Sequence, residues 1–170
     1  MARASAVLNV AASNPQKVST GLKETDRKEV AEILSDLTVQ TYRVLLRSQV
    51  VHWNVVGPLF QPIHALTEQH YQDLFAAIDL LAERIRALGH TVPTGKAAAG
   101  LDRAMSLNVP MTAKVMVEEL VEDHEDLARL LREGAAEAEE RDDFVTHDLL
   151  TARLAFHEKA IWMLRAVVAD

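Results

Sequence analysis

Apolar side chains return every three or four positions through four long stretches of this chain, the period of an α-helix with one buried face. The first stripe runs through Val30, Ile33, Leu34, Leu37, Thr41, Val44, Leu45 and Ser48 to His52. Asp26 and Glu29 have the spacing of a capping box, which predicts that the helix opens there. Gly57-Pro58 turns the chain, and Pro62 fits only the first turn of a second helix. That helix is predicted from about Leu59 to Leu88, with Gly89 as its terminator. A third, from about Met111 to Ala138, is expected to bury Val115, Leu120, Val121, Leu127 and Leu131. A fourth, from about Asp143 to Val168, is expected to bury Leu149, Leu150, Leu154, Ile161, Leu164 and Val168. Residues 89–110 carry Pro93, Gly95, Gly100 and Pro110, a long crossover in which Lys96 to Met105 reads as a short helix. No strand pattern or internal repeat competes. The fold class is all-α, a four-helix bundle with a long middle crossover containing a short helix.

Composition narrows the setting. At 170 residues the chain is one domain with a substantial core. Residues 1–24 show no sustained period and read as a flexible N-terminal tail, leaving 25–170 for the bundle. The alanine-rich start faintly resembles a signal peptide, but its apolar stretch is broken by Ser5 and Asn9, so a cytoplasmic protein is expected. There is no cysteine, which excludes disulfides and thiolate metal sites. No apolar run approaches the roughly 18 residues of a membrane span. Net charge is −7, divided as +3 over residues 1–28 and −10 over the remainder. An acidic body repels DNA and attracts cations, whereas the mildly basic tail suits weak contact with phosphates.

Metal-competent side chains punctuate the second helix: His64 and Glu68, then Asp79 and Glu83. With His64 as zero, Glu68 falls at about 40°, Asp79 at about 60° and Glu83 at about 100° around the helix. They share one stripe, yet His64 and Asp79 are about 22 Å apart along the axis. One ion cannot reach both pairs within a single chain. Positions 64 with 83, and 68 with 79, share a midpoint between residues 73 and 74. Two copies of the helix, antiparallel about a two-fold axis near Asp73 and Leu74, would set each histidine end against the partner's carboxylate end, giving two identical sites per dimer. His52, just before the Gly57-Pro58 break, is placed to add a second imidazole. Two histidines and three carboxylates form a mixed N/O set suited to iron.

The stretch His52-Trp53-Asn54-Val55-Val56-Gly57-Pro58-Leu59-Phe60, followed by His64, Glu68, Asp79, Ala82-Glu83-Arg84-Ile85 and Leu88-Gly89, closely resembles the Dps family of mini-ferritins. His157-Glu158-Lys159-x-x-Trp162-Met163-Leu164 resembles that family's closing segment. The resemblance spans roughly residues 25–168. It implies a ferritin-like bundle, a dodecameric hollow shell, and a ferroxidase centre at each two-fold interface. His52, His64 and position 68 of one subunit, with Asp79 and Glu83 of the next, would oxidise Fe(II), preferably with hydrogen peroxide, and ferric mineral would collect in the cavity. Position 68 is often Asp in the family; the longer Glu68 here would shift the second iron position. Zinc, redox-inert and higher in the affinity order, is expected to substitute and inhibit.

Other residues have plainer readings. Trp53 is expected to pack beside the metal site, and Trp162 to lie in an interface or the core. His70, His90, His124, His147 and His157 lack ligand spacing and read as structural or exposed. Glu137, Glu139, Glu140, Asp142 and Asp143 read as a solvated acidic turn, with a three-fold channel for iron, joined by Asp148, as the alternative. The rival function is a nucleoid-binding structural protein whose metal sites mainly support assembly, with DNA contacted through the N-terminal tail. A full-size ferritin is disfavoured because no histidine has Glu three residues before it.

Overall fold

A computed structural model describes residues 18–92 and 111–169. They form four helices: α1 Glu24–Asn54, α2 Phe60–Ala87, α3 Ala113–Glu140 and α4 Phe144–Val167. No strand occurs among the described residues. α1 pairs along its length with α2, and α3 with α4; the two hairpins then meet through α1 against α3 and α2 against α4. The chain is thus an all-α, ferritin-like four-helix bundle. The short helix expected at Lys96 to Met105 lies outside the described residues, as does most of the expected N-terminal tail. No helix among the described residues is long and apolar enough to cross a membrane.

The periodic stripes produce this packing. In α1, Val30, Leu34, Leu37, Thr41, Val44, Leu45, Ser48 and His52 are all buried. They meet Leu74, Leu81 and Ile85 of α2, Leu120, Leu127 and Leu131 of α3, and Leu150 and Leu164 of α4 in one core. Burying a Leu or Ile side chain is worth about 1.5–3 kcal/mol, so this stripe dominates helix placement. The three buried hydroxyls of α1, Thr38, Thr41 and Ser48, each donate to the carbonyl four residues earlier, at 2.7–2.8 Å. Gly134 supplies a notch. A Cβ there would stand 3.1 Å from Ile33 and from Leu150, so its hydrogen lets α1, α3 and α4 close together.

Two expectations fail at helix starts. α1 begins at Glu24 with Lys23 at its N-cap and no side-chain cap, so Asp26 sits in the first turn and not in a capping box. The buried Arg27 explains the shift: its guanidinium donates to the Leu22 carbonyl at 2.8 Å and pins the approach from outside the helix. Val115 is exposed, and Met116 and Val117 face the core instead. In α4, Leu150 and Leu164 are fully buried, while Leu149, Leu154, Ile161 and Val168 pack partly buried against the core.

The helix ends are closed by backbone geometry. After α2, Gly89 takes φ +93°, its amide bonding the Arg86 carbonyl and that of His90 the Ile85 carbonyl. This paired 5→2 and 6→1 closure follows α3 as well, where Asp142 holds the left-handed position at φ +57°. The next residue, Asp143, bonds the Ala138 carbonyl through its amide and also caps α4, its carboxylate accepting from the Thr146 amide at 3.0 Å. Arg84 of α2 reaches the same carboxylate at 2.6 Å and the Thr146 hydroxyl at 2.9 Å.

Asp143 is therefore no channel residue: its side chain is 1% exposed and its oxygens are taken up by Arg84 and Thr146. Burial alone would raise its pKa, but bonds from the Arg84 guanidinium and the Thr146 hydroxyl and amide outweigh it and hold the carboxyl below its usual value. The stability this confers is complete above the unfolded carboxylate value of about 3.9 and is lost as pH falls through the depressed folded value. Neighbouring aspartates should then respond oppositely to substitution. Asp142→Gly relieves left-handed strain and should stabilise by up to about 1 kcal/mol. Asp143→Ala leaves a mostly buried guanidinium unpaired and should cost about 3 kcal/mol. Urea unfolding at pH 7 checks both signs.

Candidate metal centre

His52 lies in the last turn of α1 and His64 in the second turn of α2, so the bend at Val55–Leu59 brings them face to face. Their rings stack at 3.7 Å between centroids with planes 17° apart. Each Nδ1 lies 2.9 Å from the other residue's backbone carbonyl oxygen. A carbonyl only accepts, so both Nδ1 atoms carry the proton and each Nε2 keeps its lone pair. Two parallel imidazoles are thereby fixed in the tautomer that ligates through Nε2, the orienting arrangement metal-binding histidines use.

Two flanking aromatics escaped the sequence analysis. Phe60 stacks on His64 at 4.9 Å, and Tyr71 meets His52 edge-on at 5.2 Å. The Tyr71 hydroxyl is 3.5 Å from Glu68 Oε1, a long contact that places the carboxylate on the same flank. Helical spacing could have found both: Phe60 precedes His64 by four residues, and Tyr71 follows it by seven. Trp53 follows His52 and is 59% exposed in the single protomer. Trp162, at 67% exposed, is not a core residue.

Asp79 and Glu83 lie on the exposed side of α2, about four to five turns beyond His64, too far along the axis to approach His52 or His64. Among the described residues no three His, Asp or Glu side chains of one chain converge as a metal-holding group. Between the two donor ends, Phe75 projects with 70% of its surface exposed. At about 20° around α2 from His64 it belongs to the donor stripe, close to its midpoint. An apolar centre with ligating groups at both ends is the profile of a self-complementary contact.

The remaining candidates divide. Asp142 and Asp148 are exposed, and Glu137 pairs with Arg141, which also binds Glu29 of α1 at 2.9 Å. His70, His124 and His157 are buried in the bundle, as structural histidines should be. His147 is tied through Nδ1 to the Ala135 carbonyl at 3.0 Å.

Comparison with known proteins gives this arrangement its relatives. Residues 31–170 match the Ferritin family, described as a ferritin-like domain. A low temperature-induced protein of Nostoc is 37% identical over 157 residues, covering 89% of this chain and 87% of the relative. DNA protection during starvation protein 2 of Bacillus anthracis is 34% identical over 140 residues, 82% and 96% of the two chains. The solved Dps protein of Vibrio cholerae O1, described as a ferritin-like diiron-carboxylate protein, superposes with a TM-score of 0.78 at 28% identity, covering 91% of this chain and 98% of its own. On the family match, these identities and the shared bundle, the chain belongs to the Dps family of ferritin-like proteins.

Proposed function

We propose that this protein is a ferroxidase and iron store, whose two-fold contacts assemble catalytic centres from His52, His64 and Glu68 of one protomer with Asp79 and Glu83 of the next. The observation that carries the reading is the locked imidazole pair, both Nε2 lone pairs held ready, whose His64 shares an α2 stripe with a carboxylate pair that begins about 22 Å further along the helix. Iron is the substrate. Carboxylates favour Fe(III) and imidazole lends affinity for Fe(II), so the mixed set holds the ion through its change of charge. Two Fe(II) held about 4 Å apart give one electron each to a single hydrogen peroxide. The O–O bond breaks, two protons are taken up, and two waters and two Fe(III) result, with no hydroxyl radical released. Removing Fe(II) and peroxide together is how such a shell protects DNA, the role for which its Bacillus anthracis relative is named. Docking of Phe75 near the axis supplies apolar burial worth about 2 kcal/mol per side chain, in keeping with a closed homo-oligomer such as a dodecamer. Zn(II) should occupy the same donors and inhibit, and acid should weaken binding as protons compete for imidazole.

A test follows from the division of donors between chains. His52→Ala and Asp79→Ala should each abolish rapid peroxide-driven Fe(II) oxidation while the shell still forms. Dissociating the two variants and reassembling them one to one should restore about a quarter of wild-type activity. Half the random dimers are mixed, and each mixed dimer regains one of its two centres. No recovery in verified mixed shells would mean that the donors do not come from two chains.

The competing reading, a nucleoid-binding protein, finds its support in the net charge of +3 over residues 1–28. Deleting residues 1–17 should leave oxidation unchanged and weaken any DNA gel shift, most at low salt and less as salt rises. An undiminished shift would remove the tail from that role.

A further inference from the structure

We infer that His124 of α3 and His157 of α4 form an acid-sensitive latch, joining the two helices inside the core only while both imidazoles are uncharged. Both side chains are 0% exposed. Their Nδ1 atoms are 2.9 Å apart, so one ring donates its only Nδ1 proton to the other's lone pair. The rest of the pocket is apolar or aromatic: Phe156 meets His157 edge-on at 5.2 Å, and His70 meets His124 edge-on at 5.6 Å. Neither Nε2 has a hydrogen-bond partner, although both are buried. In the bonded tautomers one Nε2 is then a stranded acceptor and the other a stranded N–H donor, so a single contact, Nδ1 to Nδ1, carries the polar satisfaction of the pair.

Protons undo that contact in two steps. The first puts a cation into a dry core; the second leaves two N–H groups facing each other 2.9 Å apart with nothing to accept. The surrounding charges offer no relief. From α4, Arg153 lies 4.5 Å over the Phe156 ring. From α2, Asp73 is ion-paired to Arg153 at 2.7 Å, and His70 is itself buried. From α3, Asp123 beside His124 is held by Arg43 and Arg47 of α1 at 3.2 and 3.3 Å, and Asp126 pairs with Arg129. On α4, Glu158 pairs with Arg132 at 2.7 Å. Lys159 lies to the His70 side of the cluster and opposes a further positive charge there. Burial first, then the neighbouring histidines and Arg153, keep His124 well below its ordinary value; burial, then Arg153 and His70, push His157 down to about 3.

The direction of the effect follows from linkage. An unfolded chain accepts these protons near pH 6.5, whereas the bundle refuses them until far lower. Stability from the pair is therefore complete above about pH 6.5 and is lost as pH falls from there toward the folded values. The folded-to-unfolded ratio should drop about fivefold per histidine over the first pH unit below 6.5, steepening toward about tenfold per unit for each below that. The latch is separate from the proposed metal centre and stands whether or not that centre oxidises iron.

Urea unfolding of the assembled protein, at one protein concentration and at pH 7.5, 6.5 and 5.5, tests it in wild type, His124→Asn and His157→Asn. Asparagine keeps an amide near the Nδ1 position but does not titrate. Between pH 6.5 and 5.5 each variant should lose about fivefold less in its folding constant than wild type. Equal losses in all three would overturn the latch. Should neither variant fold, hydrogen–deuterium exchange at the histidine C2 positions of the wild-type assembly, read by mass spectrometry, decides alone. His124 and His157 should exchange slowly, with no inflection from pH 7.5 to 5; an inflection near 6.5 at either residue would overturn it.

Discussion

Two imidazoles from different helices each donate a proton to the other residue's main-chain carbonyl, and the spacing of α1 and α2 at this end of the bundle rests on that exchange. The carbonyls involved belong to His52, three residues from the C-terminus of α1, and His64, in the second turn of α2. The His52 carbonyl is one that the end of α1 leaves without an amide partner; His64 supplies the missing donor. On the proposed function a structural need and a chemical one are met by the same contact, since the tautomer that closes the helix end also leaves Nε2 its lone pair. Replacing His64 therefore reopens the end of α1 as well as removing a proposed ligand, whereas replacing His52 leaves the His64 bond to the residue-52 carbonyl available.

The second constraint is distance. A straight helix of 28 residues keeps its two ends apart, so donors at both ends of α2 can meet only through another molecule. On the reading proposed, assembly comes before chemistry, and the exposed Phe75 gains its apolar contact in the same step that completes the ligand set. Coupling of this kind ties oxidation to the assembled shell, since a lone protomer offers Fe(II) only half a site.

Much of this was legible in one dimension because it depends on helical period alone. The α1 stripe from Val30 to His52 is buried as its spacing requires, and the four α2 donors could be placed on one face by counting. What escaped depends on tertiary contact. Val115 looked interior because the phase of a helix is least determined in its first turn, where Met116 and Val117 take the core instead. Arg27 bonding back to Leu22 displaced the expected cap, and no local pattern announces such a bond. Asp143 read as one more carboxylate in an acidic run until Arg84, 59 residues earlier, arrived beside it. The clustering of His70, His124 and His157 was equally hidden, since each sits on a different helix with no repeat linking them.

The hinge between α3 and α4 is unusually economical. Asp143 finishes the first helix with its amide and starts the second with its carboxylate, so the connection has no residue to spare. An added residue would separate the amide that closes α3 from the carboxylate that caps α4 and is held by Arg84, undoing the corner that sets Leu150 and Leu164 on the core face. For anyone grafting epitopes or tethers onto this scaffold, that corner is closed. Val56, 77% exposed in the bend between α1 and α2, is the more forgiving place, provided Gly57, at φ +91°, and the His52–His64 exchange beneath it are kept.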